Sequence, residues 1–347
     1  MLADKKLRWG VLGTGNAASV MAQAINASST SILGAVASRS NQKAKDFSAK
    51  HDVLNYYSSY DELLADDNID AVCIALPHYL HAEWSIKAAA AKKHILCEKP
   101  AAINANSASQ VIDAVIQNDV FYMEGFMYRC HAQTKKLIEL LREEAIGKIF
   151  LIEASFCYHG VFDNDQIEFK KISGGGGILD VGCYPISMAR LIASIANNVD
   201  SIRPVEINGM AHIGSKSMSD DYAVAMMRFQ DDIFAQVSCG VSLEHRNDVR
   251  IFGSKGSIHI PSPWVPGGSG PGETVIYLKK TGVKEIQEIK VTTTTGLYEQ
   301  EINTVAENII NREAAEITLQ DTLDNMATVE LWRKSVSLGQ TKDSISY

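Results

Sequence analysis

Three short stretches of the sequence carry residue types that could do chemistry. Gly13-Thr14-Gly15-Asn16-Ala17-Ala18 follows the apolar run Leu7–Leu12 and opens a helical pattern. In this G-x-G-x-x-A arrangement two glycines permit a tight turn and close approach of backbone to a pyrophosphate. The third small residue lets helix pack on strand, and the helix start offers N–H donors to the phosphate. Such turns also occur without a ligand, but here the motif heads a β-α-β pattern, where it reads as dinucleotide binding. About 20 residues on, where a carboxylate would hold the ribose of NAD, the sequence is Ser38-Arg39-Ser40. Two hydroxyls and a guanidinium suit the 2′-phosphate of NADP, the alternative being that Arg39 is a solvated surface charge. The expected cofactor is NADP in preference to NAD.

The second stretch is Glu98-Lys99-Pro100, at the end of the strand-like run His94–Cys97. The tripeptide alone fits a surface lysine before a loop as well as a functional one. Its position favours function, because open α/β sheets bind ligands outside the carboxyl ends of their strands. The third runs from Gly174-Gly175-Gly176-Gly177 to Asp180 and Tyr184. Four successive glycines are costly in conformational entropy and call for a ligand approach or unusual φ values. If the segment is helical, Asp180 and Tyr184 share one face a turn apart. The bland alternative is a flexible glycine loop capped by Asp180, with Tyr184 in the core.

The elements that must position these residues fall into two patterns. Up to residue 125, apolar runs at Leu7–Leu12, Ile32–Ala37, Ala71–Leu76, His94–Cys97 and Val120–Met123 alternate with amphipathic helical stretches, as in a parallel α/β sheet covered on both faces. Ser59-Tyr60-Asp61-Glu62 has capping-box spacing. From Phe150 onward eight strand-like runs follow with few helices between them, including a hairpin around Gln230-Asp231-Asp232, and two helices close the chain. The expected fold is α/β: an N-terminal doubly wound Rossmann-type parallel sheet in residues 1–125, then an α+β domain in 126–347 with a large, mostly antiparallel open sheet. Its last helices are free to pack back on the first domain.

Composition sets the outer bounds. A chain of 347 residues with 46% hydrophobic and 21% charged residues can build two cores. A net charge of −8 with no Lys/Arg cluster argues against nucleic acid as partner. Cys73, Cys97, Cys130, Cys157, Cys183 and Cys239 show no metal-ligand spacing and read as reduced, mostly buried thiols of a cytoplasmic protein. No signal-peptide pattern is visible, and no run approaches the ~20 apolar residues of a membrane span.

Taken together and in this order, the fingerprint, the Ala75-Leu76-Pro77-His78-Tyr79-Leu80-His81 turn, Glu98-Lys99-Pro100 and the Gly174–Tyr184 segment resemble the Gfo/Idh/MocA family, the glucose–fructose oxidoreductases and inositol dehydrogenases. The match covers essentially the full length. Met123–Arg129 and the tyrosine at 184 make the chain most similar to the dihydrodiol dehydrogenase and NADP-dependent xylose dehydrogenase subgroup. Many members carry histidine at the tyrosine position and aspartate three residues on. Ser187 stands there instead, which sets inositol aside as substrate. The resemblance implies that Lys99 and Tyr184 flank nicotinamide and substrate with Asp180 beside them, and that the Ala75–His81 turn, with Leu76, Pro77, His78 and His81, lines the cofactor. It also implies that Glu98 lies near the cofactor ribose, and it raises a cis Lys99–Pro100 bond.

With those residues together, an ammonium beside a tyrosine lowers the phenol pKa and makes it a proton acceptor for alcohol oxidation, or a donor in carbonyl reduction. The expected substrate is a sugar, cyclic polyol or dihydrodiol. A non-catalytic NADP sensor of the same fold is the alternative, disfavoured by the intact Lys99, Asp180 and Tyr184. His78 and His81 lack a carboxylate or cysteine partner at ligand spacing, so no metal is expected. Both faces of Tyr222–Phe229 carry apolar groups, which together with the resemblance leads to an expected homodimer or higher homo-oligomer through the second sheet.

Overall fold

Five unbroken apolar runs of the first 125 residues become strands because helices cover both of their faces. The computed structural model describes residues 6–160, 175–215 and 217–336. Its strands β1 (Leu7–Leu12), β2 (Ser31–Ala37), β3 (Asn55–Tyr57), β4 (Ala71–Ile74), β5 (His94–Glu98) and β6 (Tyr122–Gly125) form one sheet in the order β3-β2-β1-β4-β5-β6. All five pairings are parallel. Helices α1 (Asn16–Ala27), α2 (Asn41–His51), α3 (Tyr60–Leu64), α4 (His78–Ala90) and α5 (Ala105–Asn118) make the crossovers. The strand order reverses between β1 and β4, which opens the crevice where such sheets bind ligands.

Local chemistry sets the boundaries. Asn104 caps α5 by accepting from the Ser107 amide at 2.8 Å, and Ala108, Val111, Ile112 and Val115 form its buried stripe. β4 stops at Ile74 instead of Leu76 because Pro77 occupies the N-cap position of α4. β6 lies two residues later than the apolar run suggests and so carries Glu124. β3 is short and mostly exposed, which left it without an apolar signature. Ser59 does cap α3, but on the Asp61 amide. The expected reciprocal bond is replaced by Ser58 donating to Glu62.

The second sheet comprises β7 (Ile149–Cys157), β8 (Glu206–Ile213), β9 (Asp220–Arg228), β10 (Phe234–Gly240), β11 (Val249–Gly253), β12 (Gly256–Ile260), β13 (Gly272–Lys280) and β14 (Ile286–Thr293), in the order β14-β13-β12-β11-β7-β10-β9-β8. β7 and β10 are parallel, whereas the β9–β10, β11–β12, β7–β11, β12–β13 and β8–β9 pairs are antiparallel. The expected hairpin joins β9 to β10 with Asp231 and Asp232 at positive φ. Along β9, Ala223, Ala225 and Met227 are buried while Tyr222, Val224 and Met226 are exposed.

The remaining helices are α6 (Met127–Cys130), α7 (Ala132–Arg142), α8 (Cys183–Ala196), α9 (Leu297–Asn308) and α10 (Leu319–Ser335). Contacts divide the chain into two compact units, and they do not follow chain order. Residues 267–272 and 293–322 join the first 131 residues, and the rest forms the second unit. Among the described residues one helix, Ile178–Ala196, is long and apolar enough to span a membrane, but it is mostly buried as a core helix. All six cysteines are free and buried.

Candidate functional site

In the first unit the expected nucleotide residues gather at the carboxyl ends of β1, β2, β4 and β5. Gly13 has φ of +113°, and a Cβ there would meet the Ala75 carbonyl oxygen at 2.4 Å, so only glycine fits the turn. Gly15, Asn16 and Ala17 are exposed, and a Cβ on Gly15 would project into open space. The α1 N-terminus has no side-chain cap and no acidic residue in its first turn. Its amide donors and positive dipole end are therefore left for an anion. These features fit a dinucleotide pyrophosphate.

The neighbouring turn continues the same surface. Thr14 Oγ1 lies 3.5 Å from Ser38 Oγ, and the Ser40 amide donates to Ser38 at 3.3 Å. Ser40 in turn caps α2, whose first turn is free of acidic residues. Arg39 is exposed. Burial raises the pKa of Tyr60 nearby, and Arg39 partly offsets that rise. The β2 end itself, Ala37-Ser38-Arg39-Ser40, carries no acidic residue.

The Ala75–His81 turn divides in two. Leu76, Pro77 and His78 lie at the β4–α4 junction. His81, expected to face the cofactor, is fully buried, and its two ring nitrogens each lie 2.7 Å from a carbonyl oxygen, of Pro100 and of Leu76. Burial draws its pKa down, although both carbonyls favour the charged ring. His81 thus buckles the end of β4 to the segment after β5. Both ring nitrogens are engaged by these carbonyls.

β5 ends at Glu98, and Lys99 and Pro100 are joined by a cis peptide bond. Glu98 and Lys99 are half-buried. Fully buried Glu124 on β6 accepts from the Ala101 amide at 2.9 Å and pins the chain just beyond them. α9 brings two further groups that sequence reasoning missed, Tyr298 and Glu301. Burial pushes the Tyr298 phenol upward, Glu98 and Glu301 add to the rise, and Lys99 opposes it. Glu301 is fully buried with neither carboxylate oxygen hydrogen-bonded, and burial together with Glu98 holds its pKa well above the usual range. The spacing of Tyr298 and Glu301 on one helix face was legible; their proximity to residue 98 was not. Arg129, a marker of subgroup resemblance, is paired at 3.1 Å with Asp321 where both are buried.

In the second unit, Gly174 lies outside the described residues and Gly175–Gly177 lead into a π-helical turn, Ile178–Gly182, continuous with α8. The wider turn suits Pro185, which lacks an amide proton and would crowd the carbonyl four residues back in a regular helix. Gly176 has φ of +117°, and a Cβ there would fall 2.2 Å from Asp220 Oδ1. The Ile178 amide donates to Asp220 Oδ2 at 2.5 Å. Burial pushes the Asp220 carboxyl up to about 7.

Asp180 lies in this anchored turn and Tyr184 in the first turn of α8, which continues from it. The Tyr158 hydroxyl donates to Asp180 Oδ2 at 2.5 Å. The Tyr184 ring meets Phe156 edge-on at 5.0 Å and Trp264 at 5.7 Å. Trp264 is fixed by donating Nε1–H to the Ser155 carbonyl at 2.8 Å. Phe156, Tyr158, Asp220 and Trp264 escaped sequence reasoning, Trp264 because it lies in a stretch read only as a Pro/Gly-rich loop.

Known proteins resemble this chain in sequence and in fold. A model of the Gfo/Idh/MocA oxidoreductase family, NAD-binding Rossmann fold, matches residues 7–126, and the Gfo/Idh/MocA C-terminal domain matches 134–259. A trans-1,2-dihydrobenzene-1,2-diol dehydrogenase of Danio rerio is 30% identical, over 75% of this chain and 76% of its own length. A D-xylose 1-dehydrogenase (NADP⁺) of Haloferax volcanii is 36% identical, over 56% of this chain and 59% of its own. The crystal structure of a 3-ketoreductase from Actinomadura kijaniata, in complex with NADP and TDP-benzene, aligns with a TM-score of 0.85 at 25% identity. That alignment covers 96% of this chain and 98% of the ketoreductase.

Proposed function

We propose that this chain, which belongs to the Gfo/Idh/MocA family of NAD(P)-binding oxidoreductases, is an NADP-preferring dehydrogenase or reductase acting on a CH–OH or carbonyl group of a sugar, cyclic polyol or dihydrodiol. The observation that carries the reading is the strand-end surface of the first unit. A bare glycine turn and open helix start lie beside Ser38-Arg39-Ser40, with Lys99 at the end of β5. Glycines and free amides suit a pyrophosphate, and the guanidinium suits a 2′-phosphate. The names of the relatives supply the substrate classes.

NADP⁺, when bound, supplies the hydride acceptor. In this reading Tyr184 takes the proton of the substrate hydroxyl as the C–H bond breaks, so that CH–OH becomes C=O and one proton is released. Lys99 holds Tyr184 toward its anionic form and hydrogen-bonds the substrate oxygen, since a nearby ammonium favours phenolate. Asp180 orients Lys99 or a second substrate hydroxyl. Leu76, Pro77, His78 and Glu98 line the cofactor. Residues 1–125 serve the cofactor, and residues 126–347 the substrate and a second copy of the chain.

The open face of β8–β10, with Met210, Tyr222, Val224, Met226 and Phe234 exposed, supports a homodimer, and the six free, buried cysteines fit a cytoplasmic protein. An apolar sheet face of this kind gains from being covered. Light scattering at micromolar concentration tests it, and a monomer overturns it. The functional reading is tested with a panel of aldoses, polyols and dihydrodiols, following absorbance of the reduced cofactor with NADP⁺ and NAD⁺. Turnover of one class with higher kcat/KM for NADP⁺ is expected. No turnover anywhere on the panel, or a preference for NAD⁺, overturns it.

A further inference from the structure

The end of β7, with the residue that follows it, meets the helical segment Ile178–Ala196 at two points. Phe156 and Tyr158 are two apart and so face the same side of an extended chain. Asp180 and Tyr184 are four apart on the helix. Phe156 meets Tyr184 through its ring, and Tyr158 meets Asp180 through its hydroxyl at 2.5 Å. That distance is in the range of a charge-assisted O–H···O⁻ bond.

Both ends of this brace are held. Beyond β7, Asn247 accepts from the Cys157 amide at 2.7 Å and donates to the Cys157 carbonyl at 2.9 Å. The Tyr158 amide donates to Gly240 and the Gly160 amide to Val241. On the other side the Asp180 amide donates to Gly176, two residues before the Asp220 latch at Ile178. Asp180 and Tyr158 are half-buried, so the carboxylate is held and yet reachable. A carboxylate accepts at about four lone-pair sites, and the Tyr158 hydroxyl takes one of them and so orients the group. Phe156 shows that packing at this strand end needs only a ring; Tyr158 adds a donor.

We propose that Tyr158 is a specificity-determining positioning residue, whose hydroxyl fixes the Asp180 carboxylate so that it receives the substrate hydroxyl adjacent to the reacting carbon. This rests on the reading of Asp180 and Tyr184 given above. Tyr158 acts through Asp180. The substrate class that profits is the vicinal diol, in which a second hydroxyl lies one carbon from the first. A site built to hydrogen-bond a hydroxyl discriminates strongly against analogues lacking it.

The experiment compares kcat/KM for the best substrate of the panel and its partner lacking the adjacent hydroxyl. Suitable pairs are D-glucose with 2-deoxy-D-glucose, D-ribose with 2-deoxy-D-ribose, and trans-1,2-cyclohexanediol with cyclohexanol. The wild-type protein is expected to favour the diol, and Tyr158→Phe to shrink that preference by about tenfold. The loss should fall on the diol alone, with NADPH affinity and melting temperature unchanged. Asp180→Asn should shrink it as far, and the double variant no further, as for two residues acting as one unit. An equal loss on both members of the pair, an unchanged preference, or additive losses in the double variant overturns the assignment while leaving the enzyme reading intact. Absence of wild-type turnover with every pair and both cofactors overturns the enzyme reading and this one with it.

Discussion

The two units build their candidate surfaces in different ways. At the ends of β1, β2 and β4 the first unit presents mainly backbone: the Gly13 turn, the uncapped start of α1 and the Ser40-capped start of α2. The second unit presents side chains held by other side chains, with Tyr158 on Asp180, Phe156 and Trp264 around Tyr184, and Asp220 under the glycine turn. A pyrophosphate is the same in every dinucleotide and can be met by fixed amides. A substrate varies between relatives, and side chains can be exchanged without rebuilding a sheet. Single substitutions should therefore bite harder on chemistry in the second unit than on nucleotide binding in the first.

The sharpest attack on that contrast is Tyr184→Phe, which keeps the ring packed on Phe156 and Trp264 but removes the proposed proton acceptor. We expect kcat to fall by about 10²–10⁴ with cofactor affinity unchanged by fluorescence titration. Lys99→Met should behave alike, and the double variant should be scarcely worse than either. Turnover near wild type in Tyr184→Phe would move the proton-transfer role elsewhere, with His78 the next residue to test. Loss of cofactor binding in step with rate would make Tyr184 structural.

A smaller effect is expected where the first unit commits a side chain to the nucleotide. Arg39→Ala would remove the proposed charge-assisted contact to the 2′-phosphate, a kind of bond that typically contributes about 1.5–3 kcal/mol. NADP affinity should drop roughly 10- to 100-fold and NAD affinity hardly at all. Equal loss with both cofactors would mean that Arg39 does not read the 2′-phosphate.

The smallest effect concerns pH. Asp220 titrates near 7 in the folded chain because burial outweighs Arg333 and the Ile178 amide, while Asp221 adds to the rise. An unfolded aspartate titrates near ~3.9. Between these values the folded state keeps a proton that the unfolded state has released. The contribution is therefore full below about 4 and is lost as pH rises toward about 7. Asp220→Asn should remove this slope, narrowing the gap between Tm at pH 5 and at pH 8 by about 2–4 °C. An identical pH dependence in the variant would place the titration elsewhere.

Legibility followed the same divide. Gly13–Ala18 was readable because the motif is contiguous in sequence and its first position tolerates only glycine. The apolar runs revealed the parallel sheet because burial on both faces leaves no alternation. The second sheet was legible from its succession of strands, whereas β9, apolar on both faces, did not show which face is buried. Asp180 and Tyr184 were readable as a pair because one helix carries both. Their braces were not, since Tyr158 and Trp264 arrive from distant segments and neither has a local signature. His81 fell between the two cases. Its motif was visible, but its occupation by two carbonyls depends on the adjacency of β4 and β5. Glu301 lies about two hundred residues from Glu98, and no periodicity within α9 distinguishes it from an ordinary surface glutamate until the helix is packed.

The position of β7 has a consequence for synthesis. β7 carries Phe156 at its end and lies between β10 and β11. Its partners follow roughly 80 and 100 residues later in the chain, so at about 5–20 residues per second β7 leaves the ribosome at least ~4 s before either neighbour exists. During that interval its buried side chains Ile149, Ile152, Ala154 and Cys157 have no sheet to enter. Pairing across such separations closes long loops and is slow. The strand that braces the candidate substrate residues is thus also the segment whose nascent form most needs shielding from other chains.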